Sequence, residues 1–140
     1  INIEGEEQKL RDYISLHFPF LWMCPMILVS AKNGTGISDL VGAIKPIVTA
    51  RHKELSDEEL QRLLDKTLEH NPPKLMRDQK KPKVIGLKQV DTNPPIFELY
   101  VNYPAAISMQ YRKFLEKSIT KNLGFWGTPI KLRLKGKDKS

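Results

Sequence analysis

The sequence predicts an α/β chain in two parts, residues 1–55 and 56–140, and three observations predict it. First, the apolar run Met26-Ile27-Leu28-Val29 breaks into Ser30-Ala31-Lys32-Asn33-Gly34-Thr35-Gly36 and then into helical spacing from Ile37. That order reads as strand, polar glycine loop and helix start, the place where α/β sheets hold ligands at the carboxyl ends of their strands. Second, Phe97, Leu99 and Val101 alternate with Glu98, Tyr100 and Asn102, the period of a half-buried strand. Third, Ser56-Asp57-Glu58-Glu59 is a capping box, with the serine oxygen placed to accept the third amide and Glu59 to reach back, so a new unit opens there.

Each element follows from its spacing. Leu10, Tyr13 and Ile14 predict a helix over Glu6 to Leu16, followed by a strand from Met26. Ile37, Leu40, Val41, Ile44 and Val48 recur every three or four residues and give a helix with one apolar face for a sheet, which Pro46 should kink or shorten. Leu60, Leu63, Leu64 and Leu68 form the stripe of the next helix, stopped by Asn71-Pro72-Pro73. Lys74 to Lys83, rich in cations, reads as an exposed linker. Strands are expected over Lys83 to Val90 and Ile96 to Asn102, joined by Asp91-Thr92-Asn93-Pro94-Pro95. Ser108 can cap a helix that faces Tyr111, Leu115 and Ile119 inward and ends at Gly124. Ile130, Leu132 and Leu134 then alternate with Lys131, Arg133 and Lys135, one more strand with a cationic side. A three-stranded sheet with helices on one face satisfies all the apolar stripes after Ser56.

Charge divides the same way. Residues 1–70 hold 8 Lys+Arg against 11 Asp+Glu, net −3, whereas residues 71–140 hold 15 against 5, net +10. Cations gathered on so short a stretch favour a polyanion, usually nucleic acid, because each cation placed at a phosphate releases counterions. The single cysteine, Cys24, fits a reducing cytoplasm and is expected to be a small core residue. Phe18 to Val29 is too short and too interrupted by Pro19 and Pro25 to span a membrane, which takes about 20 residues, and no basic signal-peptide start precedes it. His17, His52 and His70 lie in unrelated segments, so no metal is expected on them.

The glycine loop carries the chemistry. Glycines let the backbone approach a ligand, and the amides and dipole of the following helix favour an anion or a polar ring edge. No G-x-x-x-x-G-K-[ST] phosphate loop occurs in the chain, which places the phosphate-holding half upstream of Ile1. Ser30-Ala31-Lys32 with Gly34-x-Gly36 resembles the last guanine-contacting motif of translation-factor-type GTPases. The resemblance implies that Ser30, Ala31 and Lys32 complete a guanine pocket, the Ala31 N–H meeting the guanine oxygen and Lys32 lying along the base.

The second part resembles the C-terminal domain of the bacterial double GTPases of the EngA/Der family. The matching residues are Asn71-Pro72-Pro73, Asn93-Pro94-Pro95-Ile96-Phe97, Phe114-Leu115-Glu116 and Gly124-Phe125-Trp126-Gly127-Thr128-Pro129-Ile130. With Ser30-Ala31-Lys32 upstream, they cover nearly all of the chain. The fold so implied is the C-terminal portion of a P-loop GTPase domain followed by a KH-like α+β domain. Also implied are GTP/GDP as ligand, with Mg2+ held by residues upstream of this chain, and partners in the large ribosomal subunit, its RNA and the upstream GTPase domains. Absent from the sequence are the phosphate loop, the switch segments and Asn-Lys-x-Asp, so this chain alone is expected to be inactive in GTP hydrolysis.

Gly124-Phe125-Trp126-Gly127 matches the Gly-x-x-Gly loop with which KH domains clamp a nucleic-acid backbone. Here it joins a helix to a strand and carries two large aromatics, so Gly124 reads as a helix cap and Phe125 and Trp126 as core or domain-contact residues. RNA contacts are instead expected at Lys113, Lys117 and Lys121, a ridge at i+4 spacing, and at Lys131, Arg133 and Lys135, with Lys80, Lys81 and Lys83 in the linker. Two further readings stay open: a stand-alone basic RNA-binding module without enzymology, in which Ser30 to Gly36 is only a turn, and a structural role on acidic protein surfaces.

Overall fold

The computed structural model describes residues 3–74 and 80–136. Among the described residues, four helices and three strands follow one another as α1 (Ile3–His17), α2 (Ile37–Arg51), α3 (Asp57–His70), β1 (Val84–Asp91), β2 (Ile96–Val101), α4 (Met109–Leu123) and β3 (Lys131–Gly136), with short 3-10 turns at Pro19–Leu21 and Pro104–Ala106. The sheet order is β1-β2-β3, antiparallel between β1 and β2 and parallel between β2 and β3.

Local chemistry sets the ends of the elements. The Ser56 hydroxyl accepts from the Glu59 amide at 3.2 Å, and the Glu59 carboxylate accepts from the Ser56 N–H at 2.9 Å, so the capping box starts α3. Those hydrogen bonds hold the Glu59 carboxyl below its ordinary pKa. Ser108 caps α4 by accepting from Tyr111 N–H at 3.1 Å, and Gly124 closes it in the left-handed conformation.

Packing follows the predicted stripes. Leu60 and Leu64 of α3, and Leu115 and Ile119 of α4, meet Leu87, Phe97, Leu99, Val101 and Leu132 from one face of the sheet, with Phe125 completing the core. The Phe97 and Phe125 rings meet edge to face at 5.5 Å. On β3, Leu132 is buried while Lys131, Arg133 and Lys135 are exposed, so the three cations point away from both helices.

Three expectations are corrected. Met26–Val29 forms no strand, because among the described residues no neighbouring strand offers it a ladder. Pro46 does not shorten α2, which runs on to Arg51; the helix forgoes one hydrogen bond there and continues. Cys24 is half-buried beside Met23 rather than in the core. The Lys74–Lys83 linker falls partly on residues 75–79, outside the described residues. Among the described residues, no helix is long and apolar enough to cross a membrane, and no group of three His, Cys, Asp or Glu side chains could hold a metal ion.

Candidate functional site

The glycine loop is tied by its own backbone. Ser30 N–H donates to Thr35 O at 2.9 Å, Gly34 N–H to Ser30 O at 2.8 Å, and Asn33 N–H to the Ser30 hydroxyl at 3.3 Å. Ser30 is thus the residue that closes the turn. Ala31 and Lys32 ride on its exposed rim, and among the described residues the Ala31 N–H has no partner. Gly36 lies at φ +78°, where a side chain would collide with the Leu28 carbonyl, so glycine is what lets the 26–29 segment and the start of α2 come together.

From this loop α2 runs 15 residues, about 22 Å, toward the sheet. Its far end is bound there: the Arg51 carbonyl accepts from Asn93 N–H at 2.9 Å, and the Arg51 guanidinium bonds the Asn93 side-chain oxygen. Just beyond, Gln89 of β1 holds the connecting chain with both ends of its amide, accepting from Leu55 N–H at 2.8 Å and donating to Lys53 O at 2.9 Å. Lys53 then donates to the Leu123 carbonyl at 2.8 Å, a cation on the C-terminal end of α4.

A second contact sits on the turn after α4. Gly127 N–H donates to Met23 O at 2.8 Å, and a Cβ on Gly127 would come within 2.5 Å of the Ile47 side chain. Trp126, half exposed, meets Trp22 edge to face at 5.6 Å. An apolar cleft of about 370 Å³ between these tryptophans is closed by Ala43, Pro46 and Ile47 of α2. Gly124, Phe125 and Trp126 therefore take the parts expected of them: helix cap, core residue and contact residue.

The six cations expected to meet RNA fall into two sets. Lys117 and Lys121 of α4 stand over the Trp22 ring, at 5.6 and 5.8 Å from its centre, and Lys113 lines the adjoining groove with Pro19 and Phe20. This ridge faces the Trp22 segment. Glu116 lies in the same groove, and its burial raises the carboxyl pKa against the pull of Arg112 and Lys113. Lys131, Arg133 and Lys135 lie on the opposite, uncovered side of the sheet, where Lys135 reaches Glu98 at 3.7 Å. In the linker, Lys80 stands over the Tyr103 ring at 5.0 Å.

Sequence reasoning did not assign Trp22, Lys53, Gln89 or Asn93 to the joint between α2 and the sheet. Asn93 stood inside a quoted motif, and Trp22 inside a proline-interrupted apolar run, but their partners are 42 and 104 positions away, beyond any local period.

A mixed three-stranded sheet closed on one face by two helices, with a cationic opposite face, defines a KH-like α+β unit. The family model for the KH-domain-like C-terminal domain of EngA bacterial GTPase enzymes matches residues 55–135, and the chain belongs to that family. The curated relatives it matches include proteins named GTPase Der. The one from Protochlamydia amoebophila is 34% identical over 121 residues, covering 86% of this chain and 25% of the relative. The Thermomicrobium roseum protein is 30% identical over 137 residues, 98% of this chain and 30% of the relative. The Synechococcus protein is 30% identical over 131 residues, 94% and 28% respectively. The chain thus spans between a quarter and a third of the length of these relatives.

Proposed function

We propose that this chain is the guanine-loop end and the RNA-docking end of a GTP-hydrolysing factor that acts in assembly of the large ribosomal subunit. The observation that supports the reading is the route from the Ser30–Lys32 loop along α2 to the 91–95 and 124–127 turns, where Arg51 is hydrogen-bonded to Asn93 and Ile47 lies against Gly127. Residues 1–55 serve as the end of a GTPase domain and residues 56–140 as the KH-like domain. The Ala31 N–H, unused by the loop, suits the guanine oxygen, and exposed Lys32 suits the flat side of the base. Phosphates, magnesium and the attacking water belong to residues upstream, since phosphoryl transfer rests on positioning groups that this sequence lacks.

The apolar sides of α1 and α2 support the same reading. Leu16, Val41 and Ile44 are exposed, an arrangement that suits cover by the sheet and helices of a larger GTPase domain. Nucleotide state would then reach the docking surface through α2, by favouring one of two seatings of the 22–25 segment on the 124–127 turn. The place of action is the cytoplasm, where ribosomal particles are built.

The test uses the full-length parent. Ala31→Pro deletes the N–H and should weaken GDP binding about tenfold, the value of one hydrogen bond near 1.4 kcal/mol. Sedimentation with large ribosomal subunits in GTP and in GDP should give different bound fractions. Unchanged GDP affinity sinks the guanine assignment. Equal sedimentation in both nucleotides sinks the coupling, and no sedimentation in either leaves a protein-binding module.

A further inference from the structure

Two sets of cations on opposite sides of the sheet cannot both line one groove, and their surroundings differ. The α4 set is turned to the aromatic Trp22 segment. Both sets are exposed, but along β3 Lys131, Arg133 and Lys135 stand on one side of one strand. Alternate residues of a strand are about 6.6 Å apart, so the three charges form a straight row about 13 Å long. Successive phosphates of an extended nucleic-acid strand are spaced much the same. Register places Arg133 beside Glu98, with Lys88 on the far side of Glu98, so the row is flanked by a fourth cation two strands away. The one carboxylate between them, Glu98, is already bonded by the Tyr100 hydroxyl at 2.8 Å and lies within reach of Lys135.

We infer that the outer face of the sheet binds a single strand of RNA with its backbone laid along β3, one phosphate to each of Lys131, Arg133 and Lys135, and that the α4 ridge takes no part. The inference rests on the proposed RNA-docking function and names its surface and its strandedness. Charge complementarity selects a polyanion, and straightness selects one strand: the phosphates of a duplex follow a curved path across two backbones. Contact through phosphates alone brings no base specificity, so any unstructured sequence should serve.

The experiment measures binding of the full chain to a labelled 12-nucleotide uridine strand and to a 12-base-pair RNA duplex by fluorescence anisotropy over a salt series. Lys131→Gln/Arg133→Gln/Lys135→Gln should lower affinity for the single strand at least tenfold and make the slope of log K against log salt shallower by about 2. Lys113→Gln/Lys117→Gln/Lys121→Gln should leave both unchanged. The reverse pattern overturns the β3 surface while RNA docking stands, and so does tighter binding of the duplex. If neither RNA binds at low salt, RNA docking falls as well. Photo-crosslinking of a 4-thiouridine strand to the unaltered chain reads the same surface without relying on any variant to fold: peptides carrying β3 support the row, and peptides confined to α4 overturn it.

Discussion

The two parts of the molecule obey the same sequence rule with opposite results. In residues 55–134 the apolar stripes of α3 and α4 meet a sheet and bury eleven side chains in one cluster. In residues 3–51 the stripes are as regular, yet among the described residues only Ala50 is a buried apolar side chain, while Leu16 is 76% and Val41 62% exposed. Periodicity therefore specifies which face of a helix is apolar, and a partner surface decides whether that face is buried. The second part supplies its own partner, and the first touches the second at a few places, among them the 22–25 segment and α2 on the 124–127 turn, Trp22 under Lys117 and Lys121, and Arg51 on Asn93.

Core truncation should break this comparison most sharply. Phe97→Ala removes a fully buried ring that Phe125 packs against, and about 3–5 kcal/mol of stability should go with it. Ile44→Ala, on a side chain 52% exposed, should change stability by about 0.5 kcal/mol or less. Urea unfolding followed by circular dichroism checks both. A comparable loss at the two sites would mean that α2 is buried in solution in a way the packing does not show.

The joint itself is the next target. Gly127→Ala places a methyl against Ile47 at a backbone φ of +80°, and should cost about 1–2 kcal/mol. The chain has two tryptophans, Trp22 and Trp126, and both sit in this joint. Tryptophan emission should therefore shift to longer wavelength in Gly127→Ala while the far-ultraviolet circular dichroism stays the same. An unshifted spectrum would show that the turn and the Trp22 segment do not depend on Gly127 for their contact.

These sites also separate what was legible in the sequence from what was not. The capping box at Ser56, the Ser108 and Gly124 caps of α4, and the alternation on β2 and β3 are written within a few residues, and the structure realises each. Met26–Val29 carries the apolar run of a buried strand, but a strand also needs a neighbour to take its backbone hydrogen bonds, and no run of letters supplies one. Likewise, nothing in the spacing of the six cations says that the topology puts α4 on one side of the sheet and the β3 side chains on the other. Spacing fixed the face of each element; only the packing revealed that the faces oppose.

Acidity should tell the two parts apart more gently. Glu116, in the groove between α4 and the Trp22 segment, has its pKa raised by burial. A raised folded-state value means that the contribution is present below the unfolded pKa and is lost as pH rises through the folded one. Neutral pH therefore finds an ionised carboxylate held partly out of water, and Glu116→Gln should stabilise the protein slightly at pH 7 and not at pH 3. Tyr111, raised to about 12 by burial, adds a similar loss on the alkaline side, between its ordinary value near 10 and about 12. Melting temperature against pH for the unaltered chain and Glu116→Gln checks the acid limb; a gain at pH 3 equal to that at pH 7 would remove ionisation as its cause.

A gain in stability is expected on the turn that joins the parts. Thr128 is 1% exposed, and among the described residues its hydroxyl has no hydrogen-bond partner. Burying an unpaired hydroxyl is unfavourable, whereas a methyl of the same shape carries no such cost. Thr128→Val should thus raise stability by about 1 kcal/mol, seen as a later urea midpoint at unchanged slope. The sign matters more than the size. A loss would mean that the hydroxyl is satisfied by an ordered water, and the turn would then hold a wet joint between α2 and the sheet, where the packing of Ile47, Trp22 and Trp126 describes an apolar one.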